Sequence, residues 1–292
     1  MVVKLNFKEP LPEQINQNYM TSRREIPIHT LENRDFYAAY AENFSIGDFT
    51  VNHRIDFFAI IWYQHDAEDQ YIDFEAYPVK ANLIYLLAKD QVHSLPGRPE
   101  AKVIIFTNAF FDRLDEELRL PFLPFNNRGI AVTTDMVPLL DSLFTLIRRE
   151  NETNNETGLL HHYLCAYLTQ INRLANQLEP RSIFHDVRLR KLFSLINTHY
   201  RSEKFAIFYA DKLGLSSKRI NQIVQKELGY TLTQLLAIYT LVEAKREISQ
   251  RVKSFKEIAL DLGFHSQSYF SRFFKKHTGQ SPEEFKANTI MV

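Results

Sequence analysis

The 292-residue chain is poor in cysteine and glycine, with one Cys and eight Gly. The lone Cys165 excludes a disulfide framework within the chain and is typical of a protein from a reducing compartment. No stretch approaches the roughly 18 uncharged apolar residues that a membrane span needs. The N-terminal MVVKLNFKEPLPEQ also lacks the apolar run of a signal peptide. These absences favour a cytoplasmic protein.

Signatures of common enzyme active sites are also missing. The chain contains no GxSxG, GxxxxGK[ST] or HExxH. His53, His65 and His93 fall in a β-patterned region, but no HxH pair with a following Glu accompanies them. We therefore expect no catalytic residue, no metal and no cofactor. A metal-dependent enzyme domain is kept as an alternative.

The net charge of zero hides a strong asymmetry between the two parts of the chain. Residues 181–292 hold 19 Lys and Arg against 10 Asp and Glu, whereas residues 1–180 hold 16 against 25. A basic segment is a candidate for nucleic-acid binding, and an acidic one is repelled by phosphates. The alternative is two domains with a chance charge bias.

After a polar lead-in at 1–35 that is expected to be loosely ordered, residues from about 42 to 107 have a β pattern and are expected to form a small barrel or sandwich. Short β-branched and aromatic runs alternate with polar or Pro-bearing turns. FFAIIW and LIYLL are apolar on both alternating faces, so both strands should be buried on two sides. The predicted strands are 54–64, 70–77, 82–88 and 101–106.

The aromatic side chains of this domain could form its core or line a small-molecule pocket. A pocket would need a few polar groups converging among the aromatics. The predicted pocket residues are His53, Arg54, Trp62, Tyr85 and His93. If the aromatics are only core, the domain serves protein interaction alone.

Residues 126–180 are expected to be helical, with helices at 134–150 and 159–178. The second predicted helix has a heptad-like apolar seam, with spacings that alternate between four and three residues. The seam can pack on its own domain or on another subunit, and we favour a homodimer contact. Its residues are Leu160, Leu164, Tyr167, Ile171, Leu174 and Leu178.

Residues 181–292 are helical throughout in pattern. Capping boxes begin two of the helices, SFKE at Ser254 and SPEE at Ser281. The predicted helices are 186–200, 204–213, 217–227, 232–249, 255–262, 267–277 and 282–288.

This segment contains an internal repeat. ADKLGLSSKRINQIVQKELGYT (210–231) aligns with ALDLGFHSQSYFSRFFKKHTGQS (259–281), with matching Gly residues after the first and second helix. Each copy has a helix, a Gly-containing turn and a second helix, which is the helix-turn-helix pattern. The sequence thus predicts an α+β protein whose C-terminal domain has two helix-turn-helix units.

The second helix of each copy has one apolar and one polar face. Ile220, Ile223 and Val224 correspond to Phe270, Phe273 and Phe274, all 50 residues on. The polar side chains are of the types that read base edges in double-stranded DNA. The predicted base-reading residues are Lys218, Asn221, Gln222, Gln225, Gln267, Ser268, Ser271 and Arg272. The alternative for any one helix is an ordinary solvated face.

Basic and polar residues around these helices are candidates for phosphate contacts, which fix register without reading sequence. They are Lys245, Arg246, His265, Lys275 and Lys276. A joining helix of about 17 residues would be roughly 25 Å long. That length would let the two units enter successive major-groove segments about 34 Å apart.

SFKEIALDLGFHSQSYFSRFFKKHTGQSPEEFK (254–286) resembles the C-terminal signature of the AraC/XylS transcription regulators. The first unit departs from the family pattern at Gln222, where Arg is frequent, and the joining helix departs at Thr240, where a basic residue is usual. The matching positions are Ile258, Ala259, Gly263, Phe264, Ser268, Tyr269, Phe270, Arg272, Phe274, Lys275, Gly279 and Pro282.

The N-terminal half is similar to the cupin-like effector domain of such regulators, at HRIDFFAIIWYQ (53–64) and VHSLPG (92–97). The resemblance implies a cupin-like β-barrel at 1–125, a helical dimerisation segment and linker at 126–180, and a DNA-binding domain at 181–292. It also implies a dimeric regulator that responds to an effector. If the regulator is an activator, RNA polymerase is a further partner.

Overall fold

The computed structural model describes residues 26–31, 34–43, 49–95, 97, 99–122, 127, 129–178 and 187–288. These residues contain ten strands, and most of their helices follow the strands in the chain. The strands are β1 Ile28–His29, β2 Phe36–Tyr40, β3 His53–Ile55, β4 Phe58–Tyr63, β5 Ala67–Ile72, β6 Glu75–Val79, β7 Leu83–Leu87, β8 Val92–Ser94, β9 Ala101–Phe106 and β10 Ile130–Ala131.

The strands form two five-stranded sheets, in the orders β1-β3-β8-β5-β6 and β10-β7-β4-β9-β2. All pairings are antiparallel except β1 with β3. No strand pairing joins the two sheets within the described residues, so they form a cupin-like β-domain that is not a closed barrel. The expected cupin-like architecture is confirmed, and its closure is not.

Strand β4 explains how the domain is layered. Phe58, Ile60 and Trp62 point to a core shared with helices, whereas Ala59 and Ile61 point to a second core between the sheets. All six residues of the strand are buried. The prediction that FFAIIW is buried on both faces is therefore confirmed, because this sheet lies between the other sheet and a helical layer.

The predicted strand at 70–77 is wrong, because the chain reverses within it. Strands β5 and β6 pair directly, with Ile72 opposite Glu75. The two turn residues between them, Asp73 and Phe74, both have positive φ, at 50° and 71°. Two-residue hairpins favour such angles, but a Phe in this conformation is unusual, and neither turn position holds the Gly or Asn that would signal the turn.

Short helices α1 Asn108–Phe111 and α2 Glu116–Arg119 precede the long helices α3 Val137–Glu152 and α4 Thr157–Leu178. Of the predicted dimer seam, Leu160, Leu164, Tyr167, Ile171 and Leu174 are buried in the core that α4 shares with α3 and the sheet. The predicted subunit contact is wrong for these five residues, because they already pack on their own domain. The Leu178 side chain lies outside the described residues.

The remaining helices confirm the C-terminal predictions closely. They are α5 Val187–His199, α6 Ala206–Lys212, α7 Ser217–Leu228, α8 Leu232–Gln250, α9 Phe255–Asp261, α10 Gln267–Thr278 and α11 Pro282–Asn288. They share one core that includes Ile220, Val224, Phe270 and Phe274. Within the described part of the chain, no helix is long and apolar enough to cross a membrane.

The boundaries of the three predicted domains stay predictions. Strand β10 lies beyond residue 125 and pairs with β7. Helices α3 and α4 share a core with the second sheet. The described residues between 26 and 178 therefore form one packed unit of sheets and helices.

Candidate nucleic-acid interface and inter-sheet cavity

The two helix-turn-helix units have the same construction at positions 50 residues apart. Helices α7 and α10 each have 12 residues. Ser216 and Ser266 cap them by accepting a hydrogen bond from the third helical N–H, each at 3.2 Å. Gly229 and Gly279 end them with φ of 78° and 82°. The repeat seen in the sequence is thus a structural repeat.

The polar face of α10 is open to solvent. Gln267, Ser268 and Arg272 are exposed, and Ser271 is half-buried. Arg272 makes no hydrogen bond or ion pair within the described residues, so its guanidinium group is available for a partner. The apolar face, with Phe270 and Phe274, lies in the core. The assignment of these residues to base reading stays a prediction.

The polar face of α7 is open at three of its four predicted positions, Lys218, Gln222 and Gln225. Gln225 donates through Nε2 to the Gly229 carbonyl at 3.0 Å, which satisfies the helix end. Asn221 is different, because its Oδ1 accepts from Leu232 N–H at 2.9 Å and its Nδ2 donates to the Ser217 carbonyl at 2.9 Å. We correct its predicted role: Asn221 ties α7 to the start of α8.

The predicted phosphate contacts divide into two groups. His265, Lys275 and Lys276 are exposed around α10. Arg246 is 3% exposed and donates to Asp73 of the β-domain at 2.9 and 2.8 Å. Lys245 donates to Glu75 at 3.0 Å. The prediction is therefore corrected for Arg246 and Lys245, since both are held by carboxylates in this arrangement.

Two exposed residues at equivalent positions were missed by the sequence reasoning. Arg219 on α7 and Tyr269 on α10 follow the helix starts by the same number of residues, and Tyr269 is 55% exposed. An Arg can contact phosphate or base, and an aromatic ring can pack on sugar or a thymine methyl group. The 50-residue offset of the repeat was the signal that could have found them.

A half-buried lysine contacts α8 at the position where the helix departs from the family pattern. Lys204 donates through Nζ to the Tyr200 carbonyl at 2.6 Å and to Thr240 Oγ1 at 3.1 Å. Burial, together with the nearby positive charge of Arg201, lowers the pKa of Lys204 to about 8. The positive charge absent from position 240 is thus supplied at that place by Lys204.

A cavity of about 300 Å³ lies between the two sheets. Its walls are mostly apolar and include Phe49, Phe57 and Ile61. The polar residues that line it are Glu42, His93 and Glu100. The cavity is at the lower end of the size range for small-molecule sites.

Of the five predicted pocket residues, only His93 lines this cavity. Trp62 points to the helical layer on the other side of its sheet. Arg54 pairs with Asp90 at 2.7 Å. His53 and Tyr85 are buried beside the cavity, where His53 stacks on His29 and Tyr85 donates to the Pro78 carbonyl at 2.7 Å. The pocket prediction is therefore corrected for all except His93.

His93 is held by a buried hydrogen bond. Its Nε2 lies 3.1 Å from Gln70 Oε1, which also accepts from the Tyr63 hydroxyl at 2.8 Å. Burial holds the pKa of His93 well below its usual range, and the neighbouring His53 and His29 lower it further. His93 is therefore neutral at physiological pH. Among the described residues, no group of three or more His, Cys, Asp or Glu is arranged to hold a metal ion.

Comparison with known proteins agrees with this geometry. A helix-turn-helix domain model matches residues 209–288, which contain both units. A probable transcription factor, PqrA of Proteus vulgaris, is 35% identical over 82 residues, covering 28% of this chain and 67% of that protein. The chain belongs to the AraC/XylS family of transcriptional regulators.

Two curated relatives are similar over part of their length, and a solved structure is similar over nearly all of its chain. The arabinose operon regulatory protein of Escherichia coli is 32% identical over 103 residues, 35% of each chain. The chain thus spans about a third of the length of that relative. The transcriptional activator RhaR of Mannheimia succiniciproducens is 23% identical over 174 residues, 58% of this chain and 62% of that protein. The crystal structure of ToxT from Vibrio cholerae O395 is 17% identical, with a TM-score of 0.46 over 88% of this chain and 99% of that chain.

Proposed function

We propose that this AraC/XylS protein is a cytoplasmic regulator that reads double-stranded DNA with two helices, α7 and α10. The observation that carries the proposal is the pair of matched helices, each with one buried and one exposed polar face. Helix α8 joins the units and has 19 residues, or about 28 Å at 1.5 Å per residue. That length suits two successive major-groove segments about 34 Å apart.

The exposed side chains divide by chemistry into two roles. Arg272 and Gln222 occupy equivalent positions at the centre of each polar face and are the principal base readers. Lys218, Gln225, Gln267 and Ser268 flank them, and half-buried Ser271 borders the face. Lys275, Lys276 and His265 supply phosphate contacts, which set register and make binding salt-dependent.

The test begins with duplexes enriched from a random library by the wild-type protein. Arg272→Ala should weaken binding to these duplexes by about 1–3 kcal/mol and relax preference at one base pair. The control variant Lys276→Ala should weaken binding to enriched and random duplexes alike, and it should reduce the salt dependence of that binding. If Arg272→Ala weakened binding to enriched and random duplexes equally, Arg272 would be a phosphate contact.

We further propose that the inter-sheet cavity binds a small effector. A mostly apolar wall with one neutral histidine suits an apolar molecule that bears one hydrogen-bonding group. Glu42 and Glu100 are the charged residues among the described lining, so the cavity disfavours anions. A neutral or cationic molecule is therefore the expected class.

Thermal-shift measurements with matched probes test this assignment. Octylamine or octanol should raise the melting temperature more than octanoate, because the lining carboxylates repel the anion. His93→Ala should reduce the shift. If a wider panel of neutral and cationic metabolites gave no shift, the domain would serve protein interaction alone.

We also propose a homodimer, through a different surface from the predicted seam. Leu139 and Leu146 on α3 are 42% and 45% exposed. In an antiparallel pair of α3 helices, Leu139 would meet Leu146 of the partner subunit. Asp135 would then lie near Arg149 of the partner subunit, which supports a second copy as the occupant. Leu146→Glu should convert the dimer to a monomer in sedimentation velocity, and a monomeric wild-type protein would contradict the proposal.

Whether the DNA-bound protein activates or represses transcription depends on the proteins that it contacts. RNA polymerase is the proposed partner if the protein activates. An in vitro transcription assay on a template that carries an enriched duplex distinguishes the two outcomes, since only activation raises transcript yield.

A further inference from the structure

The turn between β5 and β6 docks on the C-terminal domain. Asp73 receives two hydrogen bonds from Arg246, from Nε to Oδ1 at 2.9 Å and from Nη2 to Oδ2 at 2.8 Å. The Asp73 and Arg246 side chains are 4% and 3% exposed. This buried, two-point ion pair joins residues that are 173 positions apart in the chain.

The residues next to Asp73 extend the contact. The Phe74 ring packs edge-on against Phe285 of α11, with centroids 5.3 Å apart. Glu75 accepts a hydrogen bond from Lys245 at 3.0 Å. Phe74 holds a positive φ of 71°, a conformation that costs free energy in a bulky residue. The docked turn therefore combines two ion pairs with a strained backbone.

Both charges of the ion pair keep a partner in their own domain when the contact opens. Arg246 also donates to Glu243 at 2.5 Å. Asp73 also accepts from Gln91 Nε2 at 2.9 Å and from Val92 N–H at 3.1 Å. Burial opposes the charge on Arg246, but Asp73 and Glu243 raise its pKa, so it stays charged. Because opening leaves neither charge buried without a partner, separation is far less costly than breaking an isolated buried pair.

The same turn is connected to the inter-sheet cavity. Strand β8 supplies both Val92, whose N–H binds Asp73, and His93, which lines the cavity. His93 lies opposite Ile72, the residue before Asp73, in the pairing of β5 with β8. A molecule that shifts His93 therefore acts on the strand pair that positions Asp73.

We propose that Asp73, Phe74 and Glu75 form a latch that restrains the DNA-binding domain. The closed latch occupies Lys245 and Arg246 of α8, the helix that joins the two reading units. Opening releases Lys245, exposes Arg246 beside Glu243, removes the carboxylates of Asp73 and Glu75 from that helix, and frees its position relative to the β-domain. The protein with an open latch thus binds DNA more tightly, because more cations are available to phosphates. This inference rests on the proposed DNA-binding function.

Asp73→Asn tests the latch, with Asp90→Asn as the matched control. Each substitution removes one negative charge from a turn residue with positive φ, 50° at Asp73 and 72° at Asp90, where Asn is tolerated. Asp90 pairs with Arg54 inside the β-domain, so its loss leaves the docked turn intact. Any general electrostatic gain in DNA affinity is therefore shared by both variants.

Asp73→Asn should bind the duplexes enriched by the wild-type protein about fivefold more tightly than Asp90→Asn does, a coupling of ordinary size. Glu75→Gln should give a smaller gain, because it releases Lys245 alone. Circular dichroism melting confirms that each variant is folded, and small-angle X-ray scattering should show a larger radius of gyration for Asp73→Asn.

Equal affinities for Asp73→Asn and Asp90→Asn would overturn the latch. Weaker binding by Asp73→Asn would also overturn it, since the contact would then hold the reading helices in their DNA-competent arrangement. Failure of the proposed function is recognised separately, because the wild-type protein would then enrich no duplex at all.

Discussion

Of the glycines that the structure describes, Gly263 leaves the least room for a side chain, and it lies in the turn of the second helix-turn-helix unit. A Cβ atom at this position would lie 1.9 Å from the Arg201 carbonyl oxygen, and φ is +76°. Gly214, at the same place in the first unit, has φ of +63° with no atom within 4 Å of an added Cβ. Comparing alanine substitutions at Gly214 and Gly263 therefore separates the free-energy cost of a left-handed backbone conformation from the cost of a steric clash.

Alanine at Gly214 should cost about 1–2 kcal/mol, the price of a left-handed conformation for a residue with a Cβ. Alanine at Gly263 should cost the same amount plus about 1–3 kcal/mol, because the Arg201 backbone must move to relieve overpacking. Gly263→Ala should therefore be about 2–5 kcal/mol less stable than the wild type.

Urea unfolding followed by far-ultraviolet circular dichroism measures both variants. The signal is dominated by helices, most of which lie in the C-terminal domain. Equal losses of unfolding free energy for Gly263→Ala and Gly214→Ala would contradict the clash, since the turn would then have room for a methyl group beside Arg201.

Three further predictions address single contacts. Asn221→Ala should destabilise the fold by about 1 kcal/mol through the lost bond to Leu232 N–H, whereas Gln222→Ala should lower DNA affinity without changing urea stability. Leu160→Ala should lower the free energy of unfolding by about 2–5 kcal/mol, because it leaves a cavity in the core. It should leave the sedimentation coefficient unchanged, whereas a substitution in a subunit contact would lower it. The pKa of Lys204 is lowered in the fold to about 8 from 10.5, so stability should rise between pH 8 and 10 as the folded state releases a proton that the unfolded state retains. Lys204→Met should remove that rise, and an unchanged pH profile would contradict the assignment.

The C-terminal domain was predictable because its signals are local. Ser254 and Glu257 form the predicted capping box, with both reciprocal bonds present. Ser281 and Glu284 do the same before α11. Helical periodicity of apolar residues then assigned Phe270 and Phe274 to the core. Each of these features depends on residues within one or two helical turns of one another.

The β-domain was less predictable because its features depend on distant residues. The turn at Asp73 and Phe74 has no Gly, Pro or Asn to signal it, and its contacts are with residues distant in sequence, namely Gln91 and Val92 in the β-domain and Arg246 on α8. The Trp62 side chain points away from the cavity, to the helical layer on the other face of β4. The sequence of the strand alone does not specify which face lies against which layer. The direction of each side chain could be predicted only with knowledge of the order of strands in the sheets.

The two largest errors have the same physical origin. A seam of apolar residues on α4 does not say whether its partner is a sheet or another subunit. A basic pair on α8 does not say whether its partner is phosphate or carboxylate. In both cases the partner is a part of the same chain: α4 packs on α3 and the second sheet, and Arg246 pairs with Asp73, 173 positions away.

The central claim is that one chain reads two DNA segments with α7 and α10. The most direct measurement is the base preference at each position of duplexes selected separately by the wild type, Gln222→Ala and Arg272→Ala. We predict that each variant loses preference at its own position, with the two positions about one helical turn, or 10 base pairs, apart. Loss at the same position in both variants, or an even loss across the whole site, would contradict reading by two helices.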